Sequence, residues 1–208
     1  MTQFDMLSPK TNRFASLEKV ISALTRMKDD PLADAGTKVV ISRGNPSAKL
    51  LIVGEAPGPE ENIKGKPFVG RSGQLLDKIL QAANFDPEKD VYITNSVFRM
   101  PPGEAGKPFR KPTNQEIDYY RPYVFEIIRL IDPRVILLTG NVACQSVLGK
   151  TGITTLRGKW VQAKEYWIMP IFHPSYLLRS PMKGSGSPKD LMWKDIREVR
   201  KKYDELTA

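Results

Sequence analysis

KLLIVGEAPGPEEN, residues 49–62, runs from one lysine into an unbroken apolar stretch and ends among Gly, Pro and acidic residues. A short, β-rich apolar run bounded by Gly and Pro is the pattern of a buried strand entering a loop. Three later runs are read as strands in the same way: DVYITN (90–95), RVILLTG (134–140) and EYWIMPIFH (165–173). Helical periodicity separates them. Leu75, Leu76, Ile79 and Leu80 share one side of SGQLLDKILQAA (72–83). Ile117, Tyr120, Val124, Ile127 and Ile131 form a stripe behind TNQE (113–116), a capping box with Thr113 as N-cap and Glu116 reaching back. Leu17, Val20, Ile21, Leu24 and Met27 stand at helical spacing before the first strand, and Met192, Ile196, Val199, Tyr203 and Leu206 after the last.

Strands alternating with helices predict an α/β fold, a three-layer αβα sandwich around a four-stranded, mostly parallel central sheet. One domain is expected over residues 1–208, with 1–35 as an N-terminal helical segment packed on it; no repeat or linker divides the chain. In such a sheet the strand ends at Glu55, Asn95 and His173 come to one carboxyl edge, where α/β folds bind their ligands.

Composition narrows the partners. The formal net charge is +9, which favours a polyanion, nucleic acid first, although a generically basic soluble protein has the same total. The cations Lys64, Lys66, Arg71, Lys107, Arg110, Lys111, Arg157, Lys159, Arg179, Lys183 and Lys189 fall mainly among Gly and Pro in expected loops. The N-terminus, MTQFDMLSPKTNRF, has no signal-peptide core, and no apolar run approaches ~18 residues. The expectation is a cytoplasmic monomer with no membrane contact. One cysteine, Cys144, excludes an internal disulfide framework and reads as a buried small hydrophobe. The chain also has one histidine, His173, in IFHPSYLLRS (171–180). A lone histidine is more often structural than functional, so its neighbours decide.

GEAPGPEEN (54–62), KPFVGRSG (66–73), YITNSV (92–97) and FHPSYLLR (172–179) occur in that order. Together they resemble the uracil-DNA glycosylase superfamily, family 4 in particular, from about Lys38 to Ser180. The resemblance implies a DNA repair enzyme that flips uracil out of single- or double-stranded DNA and hydrolyses its N-glycosidic bond, leaving an abasic site. Two alternatives stay open: a DNA-binding or replication-accessory member with little or no catalysis, and a glycosylase for another deaminated base such as hypoxanthine.

On this resemblance the catalytic residues are His173, Glu55 and Asn95. Hydrolysis leaves a uracil anion and an oxocarbenium-like sugar, so a neutral imidazole donating to uracil O2 stabilises the leaving group; losing one such donor typically costs ~10²–10³ in rate. Asn95 can donate to O4 and accept from N3–H, a pattern that cytosine inverts. Glu55 resembles the glutamate that helps place water. Gly54 and Ala56 line the same loop, and alanine stands where the fastest family has a water-orienting aspartate, which implies modest turnover. Phe68 can stack on the base or simply pack in the core. Glu61 sits where bulk would exclude the 5-methyl of thymine, or is a solvated loop carboxylate. Leu177 and Leu178 resemble the wedge that fills the space left by the flipped base. Arg179, Lys66, Arg71, Arg110 and Lys111 are candidate phosphate contacts.

The sequence departs from its family at the metal. Typical family 4 members hold an iron–sulfur cluster on cysteines whose places here fall to Met27, Asp30, Arg99 and Tyr120. None is a thiolate, so no cluster, metal or cofactor is expected. Met27 and Tyr120 lie on the apolar stripes, so side-chain packing is expected to take the cluster's place. The loop RMPPGEAGKPFRKP (99–112) is longer than the family's usual form. It has no histidine, so the covalent attachment to DNA made by a related branch is not expected.

Overall fold

The computed structural model describes residues 14–103 and 109–208; Lys107 and the start of the 1–35 segment lie outside them. The expected strands are present as β2 (Leu50–Gly54), β3 (Val91–Asn95), β4 (Val135–Thr139) and β6 (Tyr166–Ile171). They run parallel in the order β3-β2-β4-β6, with Gly54 level with Asn95 and Thr139 level with Ile171. Each residue of β2, β3 and β4 is buried, which is why these strands read as continuous apolar runs and not as alternation.

The four-stranded expectation is corrected. The sheet has six strands and is mixed, because β1 (Ser42–Gly44) pairs antiparallel with β3 at one edge and β5 (Val161–Ala163) with β6 at the other. Both edges are three-residue strands, SRG and VQA, without the apolar run that marks a buried strand. An edge needs pairing on only one side, so little of it is written in hydrophobicity.

Among the described residues the helices are α1 (Leu17–Arg26), α2 (Pro59–Lys64), α3 (Arg71–Ala82), α4 (Asn114–Ile131), α5 (Gly140–Leu148), α6 (Ile153–Leu156), α7 (Pro174–Arg179) and α8 (Pro188–Thr207). Alternate strand residues feed two cores. Leu51, Val53, Ile136 and Leu138 pack with α1, α4 and α5. Leu50, Ile52, Ile93 and Leu137 pack with α3 and α8 on the opposite face. The Thr113–Glu116 capping box forms as expected, the Glu116 amide donating to Thr113 Oγ1 at 3.2 Å and the Thr113 amide to Glu116 Oε2 at 2.8 Å. No helix among the described residues is long and apolar enough to cross a membrane.

The places of the family's cluster ligands hold more than simple packing. Asp30, with a side chain 1 % exposed, accepts from Arg99 Nε at 2.6 Å, from the Leu32 amide at 2.9 Å and from the Tyr120 hydroxyl. Arg99 also donates to the Thr37 carbonyl. Phe98 meets Tyr120 edge to face at 5.4 Å, and Met27 packs on the same core. The expected side-chain packing is present at Met27 and Tyr120, and a buried ionic hub of Asp30 and Arg99 is joined to it. A carboxylate, a guanidinium and a phenol already bound to one another do not fit an iron–sulfur cluster, which needs thiolates. Cys144 cannot supply one, since its thiol is buried on α5 and pushed up to about 12.

Candidate active site

The carboxyl ends of β2, β3 and β6, and the turn from β4 into α5, open onto one cleft of about 860 Å³. Glu55, Ala56, Glu61, Phe68, Asn95 and His173 all line it. Residues separated by more than a hundred positions meet because parallel strands end level with one another.

Asn95 is the last residue of β3 and only 2 % exposed. Among the described residues no protein group hydrogen-bonds its side-chain amide, which lines the cleft. Gly54 makes room for it. A Cβ there would lie 2.3 Å from Asn95 Oδ1 and 2.5 Å from the Phe68 ring, so only glycine lets the amide and the ring come together. The Phe68 ring centroid is 5.9 Å from that of His173, at a tilt of 30°.

His173 is the N-cap of α7, and its side chain accepts from the Ser175 amide. That N–H reaches Nδ1 at 3.2 Å, and Ser175 Oγ is 2.8 Å from the same atom. Nδ1 is therefore an acceptor, and the ring's proton sits on Nε2. The cleft walls remove water from the imidazole and lower its pKa to about 4; Arg179 adds to the fall and Glu61 opposes it. Burial raises the Glu55 carboxyl above its ordinary value, and the charges of Lys111 and Arg179 offset part of that rise.

Other expected residues have structural partners. The Glu61 carboxylate accepts from the amides of Gly58 at 3.1 Å, Val69 at 2.9 Å and Gly70 at 2.7 Å. It lines the cleft by tying two loops together, and is not a solvated side chain. Arg110 also lines the cleft, but its guanidinium is bidentate to Glu116 at 2.9 and 2.7 Å, which anchors the loop to α4. Arg71, Lys111 and Arg179 stand exposed on the rim, whereas Lys66 is exposed outside it. The two leucines part company: Leu177 is 2 % exposed, inside the core, and Leu178 is 42 % exposed.

Sequence reasoning gave no role to Ser175, Tyr176 or Phe109. Ser175 and Tyr176 lie inside the quoted FHPSYLLR segment, where the position of Ser175 two residues after the histidine was the available signal. Phe109, 46 % exposed, faces the cleft from the long loop, and no pattern in the sequence marks it.

The chain matches the family model described as "Uracil DNA glycosylase superfamily" over residues 41–197. It is 39% identical over 175 residues to a type-4 uracil-DNA glycosylase of Thermotoga maritima, covering 82% of this chain and 85% of that protein. A type-4 uracil-DNA glycosylase of Sulfurisphaera tokodaii is 31% identical over 194 residues, covering 89% and 84%. One from Archaeoglobus fulgidus is 34% identical over 176 residues, covering 80% and 85%.

Proposed function

The chain belongs to the uracil-DNA glycosylase superfamily, and from that premise we infer that it is itself a uracil-DNA glycosylase, a hydrolase of N-glycosyl bonds that acts in DNA repair. The observation that carries the reading is the buried Asn95 amide with no protein partner among the described residues, lining the same cleft as an imidazole whose Nε2 bears its proton. A flipped uracil completes both. Its O4 and N3–H pair with the amide, and its O2 accepts from Nε2–H.

The reaction follows from the charges. Water attacks C1′ of the deoxyribose, and the electron pair of the N1–C1′ bond leaves with the base. Negative charge collects on N1 and O2, where the His173 donor is aimed; such a donor contributes mainly in the transition state. Glu55 orients the water and takes up its proton. Phe68 covers the face of the base. The wedge is Leu178 with Tyr176 beside it, since Leu177 is held in the core, and Arg179, Lys111 and Arg71 meet phosphates. Glu61 excludes thymine indirectly, by holding the loop that carries Phe68.

A binding module has no need of a leaving-group donor, so the His173–Asn95 pair argues against a non-catalytic role. The test is incubation with uracil-containing DNA followed by alkali. Strand cleavage at uracil is expected, and Asn95→Ala should lower the single-turnover rate by ~10²-fold or more while affinity for undamaged DNA, set by phosphates, holds. Intact strands with the parent protein would refute the activity, and equal loss of rate and affinity in Asn95→Ala would make that residue a fold element.

A further inference from the structure

Arg43 lies on the edge strand β1 with its side chain only 8 % exposed, and a guanidinium so far from water has to be paired. Its fork is engaged on several sides. Nε donates to the Pro67 carbonyl at 3.0 Å, and Nη2 to the Phe68 carbonyl at 3.4 Å and to Asp77 at 2.5 Å. Nη1 donates to Glu88 at 3.0 Å. Two of these partners are the carbonyls on either side of the Phe68 Cα.

That backbone needs holding. Phe68 has φ of +53°, in the left-handed region that a bulky side chain avoids, and such a conformation persists only where its surroundings over-determine it. Arg43 takes the carbonyl side of the turn. Glu61 takes the amide side through Val69 and Gly70. From below, α3 approaches so closely that a Cβ on Gly73 would fall 1.9 Å from the Phe68 carbonyl oxygen. Without the guanidinium the Pro67–Phe68 peptide plane loses this hold and the Phe68–Val69 plane keeps only its Glu61 contact, so the Cα–Cβ bond that aims the ring at the cleft gains freedom to turn.

We propose that Arg43 is a positioning residue for base recognition, its guanidinium holding the Pro67–Phe68 turn so that the Phe68 ring forms the wall on which the flipped base stacks. The inference rests on Phe68 as the stacking face. Lysine cannot replace the arginine, because a single ammonium does not serve two carbonyls and two carboxylates arranged around a planar fork.

The test is a double-mutant cycle in the full chain with Arg43→Lys, Phe68→Ala and the pair, reading single-turnover excision from uracil-containing single-stranded DNA. Phe68→Ala should raise the half-saturating concentration roughly tenfold, the usual scale of a lost base–aromatic stack. Arg43→Lys should raise it several-fold, and should add nothing in the Phe68→Ala background, because the two act as one unit. Affinity for undamaged DNA should be the same in all of them. An Arg43→Lys protein with parental kinetics, or one that loses the same factor in both backgrounds, overturns the proposal while leaving the stacking role of Phe68 intact. A Phe68→Ala protein with parental kinetics overturns both, and that variant is read by itself. Should Arg43→Lys fail to fold, Asp77→Asn loosens the guanidinium while leaving both carbonyls in reach; it should show a smaller loss that also vanishes without the Phe68 ring, and an additive loss would again overturn the proposal.

Discussion

The Ser175 amide donates to Nδ1 of His173 at 3.2 Å, and this one contact fixes which ring nitrogen carries the proton. It follows from the helix start itself: His173 caps α7, Pro174 opens it, and Ser175 supplies an amide that would otherwise be unpaired.

Substitution and pH both test this pair. His173→Ala should lower the single-turnover rate by ~10²–10³. Ser175→Ala keeps the amide and should cost only a few-fold. With the imidazole pKa lowered from 6.5 to about 4, the rate should show no inflection near 6.5. The linkage has the same sign. The native state binds fewer protons than the unfolded one between those values, so the stability tied to His173 is whole above 6.5 and is lost as pH falls through about 4. A rate that titrates near 6.5 would show that the imidazole works as a proton carrier and not as a fixed donor.

Glu55 should trade stability for rate. Its pKa is raised in the fold by burial, so its stabilising contribution exists below the unfolded value of 4.5 and is lost as pH rises through the folded one. At neutral pH the ionised carboxylate is a cost. Glu55→Gln should therefore excise uracil roughly 10²-fold more slowly, the lower end for a general base, yet melt at or above the parental temperature at pH 7. That gain should shrink near pH 4. Melting scans across pH, beside single-turnover rates, check both halves; a lower midpoint at neutral pH would assign Glu55 to the fold.

The leucine pair separates wedge from core. Leu178→Ala should slow excision from duplex DNA roughly tenfold more than from single strands, because only the duplex has a base to prise out at a few kcal/mol. Its melting temperature should hold. Leu177→Ala should instead destabilise the protein by about 2–5 kcal/mol, with near-parental rates per folded molecule. Equal effects on both substrates for Leu178→Ala would remove it from the wedge.

Which of these features were legible in the sequence follows from their physics. β2, β3, β4 and β6 are buried on both faces and so write continuous apolar runs, whereas β1 and β5 pair along one edge and leave only SRG and VQA. Asn95 and His173 were legible because each closes such a run within a recognisable segment. Leu177 and Leu178 were not separable, since a six-residue helix is too short for its apolar phase to show. Arg43 left no trace at all. Its partners are two backbone carbonyls and two acids scattered from Pro67 to Glu88, and no periodicity joins them.

The Asp30–Arg99–Tyr120 hub gives the last prediction, and it concerns what holds the N-terminal segment, the loop after β3 and α4 together. Asp30 reaches Tyr120 across 90 positions and Arg99 across 69, so the hub closes two long loops around one buried carboxylate. Removing one member of a buried ion pair typically costs about 3–5 kcal/mol, because the other charge is left without a partner. For a domain of this size that is a fall of roughly 6–20 °C in melting temperature, expected for Asp30→Ala. Replacing both charges together, as Asp30→Leu with Arg99→Met, should recover much of the loss, since a well-packed apolar pair leaves no orphaned charge. Chelators should not shift the parental midpoint, and uracil excision per folded molecule should hold in every variant, because none of the hub residues lines the cleft. An Asp30→Ala protein within about 1 kcal/mol of the parent would mean the hub is incidental. Stoichiometric iron and sulfide in anaerobically purified protein would mean that thiolates are not needed where they are missing, which the chemistry of these side chains argues against.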